Sequence, residues 1–377
     1  MSVEAKVRSG RLAPHVKRLR FHRDIFVLVL AAMVLGSEVW PAPPQPAPLV
    51  GFSFSPQASE LADRDPLADL AFLVGATDPD LVRLPIYWEM VEPKPDQLDF
   101  SSIDAMLDVV ASHNVDAARS TRVVLSIGAR NFLTPELHEP AWAGPRQQPQ
   151  LGEAQAGAAY RSYIDQSITR YRSSPLLYAW QVENEPFDAV TNATTGEDRI
   201  TTAQMNWEVG EVHRLDPAHE AVTTTFDAWN AAVDELQEYA PPLLAMLGGY
   251  PSGHPGDALA AADALGLDIY LNSPSTPLRF ASVALRAEWK AQAIHFWAGQ
   301  AAAADKSVWL AEMQAAPWGT TLSGFNPPDL LASASIYRHE RIQVVLLWGA
   351  DTWLKSSAWL SAANQAMSIL REPQAAG

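Results

Sequence analysis

Eight times between Gly51 and Trp348 the chain repeats one unit, a short apolar run followed by a longer stretch whose apolar residues recur at helical spacing. The runs are Gly51–Pro56, Leu81–Ile86, Arg122–Ile127, Leu176–Phe187, Ala221–Phe226, Leu265–Tyr270, Val308–Glu312 and Val344–Trp348. The spacing predicts helices over Leu61–Val74, around Ile103, Leu107 and Val110 with Ser101 and Asp104 at the start, and over Ala154–Arg172 and Ala203–Leu215. Further helices are expected over Ala228–Tyr239, Ala281–Ala304, Asp329–Arg338 and Ala358–Leu370. Short strands alternating with helices imply a parallel sheet with the helices outside it. Eight such units argue for closure into an α/β fold, a (β/α)8 TIM barrel, with one catalytic domain over residues 51–377.

Ahead of the repeats lies a different segment. Lys6, Arg8, Arg11, Lys17, Arg18, Arg20 and Arg23 precede an uninterrupted apolar run from Ile25 to Leu35. A dozen apolar residues behind a basic stretch fit a signal peptide better than a full span, and Val39-Trp40 could lengthen it into a short membrane anchor. Residues 1–40 are therefore expected to direct export, cleaved or as a membrane tether, and 41–50, rich in proline, to form a semi-rigid linker. The formal charge is −16; the first fifty residues carry seven basic and three acidic side chains, so about −20 falls on the rest. That excludes nucleic acid as a partner, because phosphate binding needs a basic footprint. With no cysteine, thiolate metal sites, a cysteine nucleophile and disulfides are excluded, and nothing calls for a cofactor.

In such barrels function sits where strands end. Asn184 and Glu185 close the fourth run, Tyr270 and Asn272 the sixth, Glu312 the seventh and Trp348 the eighth. Two carboxyl groups on separate strand ends are what glycosidic cleavage needs, one to protonate the leaving oxygen and one to attack. Arg83 lies inside an apolar strand, where a guanidinium requires a carboxylate partner; Glu312 and Glu183 both qualify. One carboxyl of such a pair must begin ionised and the other protonated, which requires unlike surroundings. The loop Gly128–Gly152 is too long to be a mere connector. Trp180 and Trp309 precede their glutamates at odd spacing and are expected to face the helices; Trp348 is the stacking candidate. Trp88, Trp142, Trp229, Trp318 and Trp353 are candidates for cleft walls.

These motifs resemble those of the clan A glycoside hydrolases, which include cellulase-like and family 42 β-galactosidase-like enzymes. The resemblance rests on Ala179-Trp180-Gln181-Val182-Glu183-Asn184-Glu185-Pro186 and Trp309-Leu310-Ala311-Glu312-Met313-Gln314. It implies Glu185 as acid/base, Glu312 as nucleophile, Asn184 as donor to the sugar 2-hydroxyl, Arg83 as support of the nucleophile and Trp348 as floor of the sugar site. Pro135-Glu136-Leu137-His138-Glu139-Pro140-Ala141-Trp142 resembles a segment of uncharacterised cellulase-like bacterial proteins, which makes His138 and Trp142 wall residues. Several clan members carry a histidine where this chain has Asp268, two residues before Tyr270. The reading is a retaining O-glycosidase acting on a β-linked glycan or oligosaccharide. The alternatives are a glycan-binding barrel without turnover and a metal-dependent hydrolase using His138, His254 and Asp268.

Overall fold

The computed structural model describes residues 46–133, 136–143, 156–187, 200–226, 254–272, 282–317 and 324–372. The basic N-terminus and most of its linker, residues 144–152 of the long loop, the helix expected over Ala228–Tyr239, and Trp229 and Trp318 lie outside them. In chain order the first half comprises β1 (Leu49–Ser53), α1 (Pro56–Glu60), α2 (Pro66–Thr77), β2 (Leu81–Pro85), α3 (Trp88–Val91), α4 (Ser101–Asp116), β3 (Arg122–Ile127), α5 (Ala156–Tyr171) and β4 (Leu177–Val182). The second half comprises α6 (Thr202–Leu215), β5 (Glu220–Phe226), α7 (Pro255–Ala261), β6 (Ala264–Ile269), α8 (Val283–Ala303), β7 (Ser307–Gln314), α9 (Pro327–Tyr337), β8 (Val344–Trp348), α10 (Ala350–Trp353) and α11 (Ser357–Arg371). The eight strands pair in parallel, each with its successor, and β8 returns to β1, so the barrel is closed. No described helix is long and apolar enough to cross a membrane.

Three expectations at the front of the chain need correcting. The helix expected over Leu61–Val74 begins only at Pro66, because Asp63, just after α1, takes a left-handed conformation (φ 53°) and Asp65 caps the new start, accepting the Leu67 N–H at 2.9 Å. Neither Ser101 nor Asp104 caps α4. Asp99 accepts the Ser101 N–H at 2.9 Å, and Asp104 instead takes the Tyr171 hydroxyl at 2.9 Å. β1 also begins at Leu49, two residues ahead of the expected start. Its tight seam with β2 requires Gly51, where a Cβ would lie 1.8 Å from the Leu81 carbonyl oxygen.

The barrel interior is filled by Leu81, Val124, Ala179, Val222, Ala264, Trp309, Val344 and Leu346. A larger apolar layer lies between the strands and the helices, and includes Trp180, whose indole N–H donates to Asp216 at 2.8 Å. Trp180 thus faces the helices as expected, but Trp309 does not. β7 carries an irregularity between Leu310 and Met313, and β6 skips Ala311 when it pairs Asp268 with Glu312. The extra residue reverses the parity of alternation, so Trp309 and Glu312 can both point inward despite their odd spacing. Trp88 and Trp353, candidates for cleft walls, are wholly buried, Trp353 donating to the Ala315 carbonyl at 2.9 Å. Trp142 packs edge-on against Trp88 and donates to the Glu92 carbonyl at 2.7 Å.

Candidate active site

Beyond the apolar layer, the period of two brings Ser53, Arg83, Ser126, Gln181, Thr224 and, four residues after Ala264, Asp268 to the same inner face, all buried. The barrel core is therefore capped by a polar layer at the C-terminal ends of its strands. Burying so much polarity is costly unless it is satisfied, and most of it is.

β4 stops at Val182, and both Glu183 (φ 58°) and Glu185 (φ 46°) take left-handed backbone. That conformation costs a non-glycine residue on the order of 1–3 kcal/mol and persists only where the surroundings hold it. Here the Glu183 N–H donates to the Ile127 carbonyl (2.8 Å), Arg130 Nε to the Asn184 carbonyl (3.1 Å), and the Glu185 N–H to the Thr224 hydroxyl (2.9 Å). The consequence is that two glutamates which simple alternation would aim alike are parted.

Glu183 turns away from the barrel. Its carboxylate accepts the backbone N–H groups of Ala129 (3.0 Å) and Arg130 (2.6 Å) and the Tyr160 hydroxyl (2.9 Å). The same hydroxyl lies 2.7 Å from Glu208 Oε1. One hydroxyl has one proton, so the second contact calls for a proton on Glu208, whose carboxyl is held well above the usual range by burial and then by the charge of Glu183. Gly128 (φ 129°) makes room, since a Cβ there would stand 2.5 Å from the Glu183 carboxyl carbon. The Arg83–Glu183 pair considered from sequence is therefore absent; the turn removes Glu183 from the inner face.

Arg83 is fully buried and spends its donors on three strands. Nε donates to Ser53 Oγ (2.8 Å), one terminal nitrogen to Gln181 Oε1 (2.8 Å), and the other to Glu312 Oε1 (2.5 Å). The Phe132 ring covers the guanidinium at 4.1 Å. The second oxygen of Glu312 accepts the Tyr270 hydroxyl. Burial, and then the Glu312 charge, keep that phenol well above its ordinary range, so it remains a donor. One oxygen each of Glu185, Asp268 and Glu312 lies within 4.8 Å of the others, all buried.

Asn184 is buried beside them, its carbonyl accepting from Gln181 Nε2 (3.1 Å) and the Thr224 hydroxyl (3.4 Å). Holding the oxygen directs the amide nitrogen away as a donor. Trp348 is half-buried at the end of β8 and meets Phe132 edge-on at 5.9 Å. His138, expected on the wall, lies behind it. Its ring stacks on Tyr87 at 4.0 Å, Nδ1 is 2.9 Å from Glu89 Oε1, and Nε2 is 3.2 Å from the Leu133 carbonyl. Tyr87 in turn donates to the Phe132 carbonyl at 2.7 Å, so His138 braces the residue that covers Arg83. The metal set proposed from His138, His254 and Asp268 is not assembled: His138 is on Glu89, His254 faces Asp257 at 3.8 Å, and Asp268 is with the two glutamates.

Sequence reading singled out Glu185, Glu312, Arg83, Tyr270 and Asn184, and the fold brings them together. It missed Gln181, Ser53 and Thr224, which alternation within their own strands could have placed on the inner face. Tyr160 and Glu208 sit on helices, where no strand parity applies.

No family model matches the chain. A curated relative, a probable mannan endo-1,4-beta-mannosidase C from Aspergillus terreus, is 35% identical over 68 residues, so the match spans 16% of this chain and 17% of that protein. Among solved structures, a GH5_18 protein from Streptomyces cattleya in complex with GlcNAc aligns with a TM-score of 0.58 at 14% identity, over 86% of this chain and 80% of that one. An exo-beta-1,4-mannosidase from Opitutaceae bacterium strain TAV5 aligns with a TM-score of 0.57 at 15% identity, over 88% and 61%. A beta-galactosidase from the psychrophilic Marinomonas ef1 gives 0.55 at 12% identity, over 85% and 59%. The resemblance to clan A glycoside hydrolases thus holds across the barrel as a likeness of fold, and the chain is a closed (β/α)8 barrel of the kind those enzymes use.

Proposed function

We propose that this protein is a retaining β-glycoside hydrolase, with Glu312 as nucleophile and Glu185 as acid/base. The observation that carries the reading is the approach of their carboxyl oxygens within 4.8 Å, on separate strand ends and in unlike surroundings. Retaining enzymes hold the pair about 5–5.5 Å apart, whereas inverting ones leave about 6.5–9.5 Å for a water. Glu312, clamped by Arg83 and Tyr270, is positioned as a carboxylate to attack the anomeric carbon. The C–O bond to the leaving group breaks with its electron pair on oxygen, and Glu185 supplies the proton. In the second step Glu185 takes a proton from water, and the oxygen of that water displaces the glycosyl ester.

The donor end of Asn184 suits the sugar 2-hydroxyl, and Trp348 suits an apolar sugar face. The names of the relatives, mannosidases and a β-galactosidase, make 4-nitrophenyl β-mannoside and β-galactoside the first probes. Release of nitrophenol by the parent and its loss on Glu312→Gln tests the assignment; binding of glycan without turnover would favour the non-catalytic barrel. Export through residues 1–40, released or as a membrane tether, belongs to the same reading, and fractionation of cells producing the full chain tests it.

A further inference from the structure

Asp268 is the polar group that the mechanism above leaves without a task. It is fully buried on the inner face of β6, and among the described residues neither of its oxygens meets a hydrogen-bond donor. A bare buried carboxylate is costly, and it is rarely retained beside another anion without a compensating proton or cation. The groups that face it are Glu185 at the end of β4, Glu312 of β7, Tyr270 just beyond β6, Arg83 of β2, and, further off, Glu136 of the loop after β3. Arg83 and Tyr270 both donate to Glu312, not to Asp268. The hydrogen-bonding neighbour left to Asp268 is the Glu185 carboxyl, which can donate only when protonated.

We propose that Asp268 is a positioning residue that shares one proton with Glu185 across a carboxyl–carboxylate hydrogen bond, so that the acid/base keeps its proton at pH values where a lone carboxyl has lost it. Burial and the charge of Glu312, opposed by Arg83, hold Asp268 well above the usual carboxylate range, in keeping with a pair that retains a proton. The site's charge then balances through the first step. Before it, Glu312 and Asp268 are anionic and Glu185 is neutral. After the proton has passed to the leaving oxygen, Glu312 is a neutral ester, and Glu185 and Asp268 are the two anions, with Arg83 cationic throughout. The repulsion between those two anions favours return of a proton to Glu185, which is the direction needed when water attacks.

The inference rests on the proposed glycosidase reading, and its test separates the two. Full-length parent, Asp268→Asn, Asp268→Ala and Glu185→Ala would be assayed across pH on an aryl β-glycoside with a good leaving group and one with a poor leaving group. Loss of Asp268 should move the alkaline limb of kcat/KM down by about one pH unit, a roughly tenfold loss above it for the poor leaving group, with little effect on the good one. A merely structural role would lower both substrates at all pH values without moving the limb, and that result overturns the proposal. If Glu185→Ala keeps the parent's rate and profile, the glycosidase reading itself fails. An infrared titration of the protonated-carboxyl band in a Glu208→Gln background decides the point without activity. A band that persists at neutral pH and disappears with Asp268→Asn supports the shared proton; its absence from the parent background, or its survival in the variant, refutes it.

Discussion

Glu183 and Glu185 stand two residues apart, both buried and both in left-handed backbone, yet they serve carboxyl clusters of opposite construction. The outer cluster of Glu183, Glu208 and Tyr160 answers Glu183 in full: two backbone N–H groups and a phenol meet both of its oxygens, the Gln204 amide meets Glu208 Oε1 at 2.9 Å, and only Glu208 Oε2 meets no partner among the described residues. The inner cluster of Glu185, Asp268 and Glu312 concentrates its donors on one member. Glu312 takes the guanidinium and the phenol, and Asp268 takes none among the described residues. The difference lies in where the donors go: the fully answered carboxylate of Glu183 fixes a turn, whereas Asp268, unanswered on both oxygens beside a second carboxyl, is suited to holding a proton.

The comparison is broken most directly by exchanging a carboxyl of the inner cluster. Glu312→Gln or Glu185→Gln should reduce turnover of a substrate that the parent cleaves by about 10³-fold or more, equivalent to roughly 4 kcal/mol, while circular dichroism stays that of the parent. Full activity in both variants would sink the assignment of the inner cluster. Arg83→Met comes next. It removes the cation from a buried pair, which should cost about 3–5 kcal/mol of stability in a denaturant titration. It should also lower turnover, because Glu312 loses the donor that holds one of its oxygens in place. An unchanged rate would make Arg83 a structural residue only.

Gly128→Ala tests the outer cluster through its packing. A Cβ 2.5 Å from the Glu183 carboxyl carbon at φ 129° should destabilise the fold by about 2–3 kcal/mol and lower turnover by displacing the turn that carries Glu185. A variant that melts with the parent would show that the turn yields freely. The last test is Glu208→Gln, whose effect is smallest in acid and depends on pH. The carboxyl pair is raised in the folded state, so the parent's stability from it is complete below the unfolded value near 4.5 and declines as pH rises through the folded one. The variant lacks that decline while its amide can still donate to the Tyr160 hydroxyl. Its stability relative to the parent should therefore rise with pH, by up to about 1.4 kcal/mol per pH unit above 4.5, and its melting temperature with it. Parallel melting curves from pH 4 to 8 would mean that Glu208 carries no extra proton.

Much of this was legible in the residues because barrel strands advertise themselves. Apolar runs at regular intervals survive any uncertainty at their ends, and carboxyls such as Glu185 and Glu312 at the close of such runs go to the barrel mouth. Arg83 had to find an acid, because an unpaired guanidinium in a strand is untenable. The choice between Glu183 and Glu312 lay beyond the pattern: alternation aims Glu183 inward, and only the two left-handed residues after Val182 reverse it. His138 was read as a wall by its company in sequence, yet its nitrogens are taken by Glu89 and Leu133, partners that a linear reading does not rank.

Sequence alone determined the order and number of the strands, the parallel closure and the strand ends at which the candidate residues sit, since these follow from local periodicity. Tertiary structure decided the rest, because each remaining question turned on parity or on distant convergence. The irregularity in β7 sends Trp309 into the barrel and aligns Glu312 with Asp268. The Arg83–Glu312 contact joins residues 229 positions apart. Asp268 became a partner of Glu185 only once three strands had brought their ends within one buried layer, where an oxygen without a donor has chemical consequences.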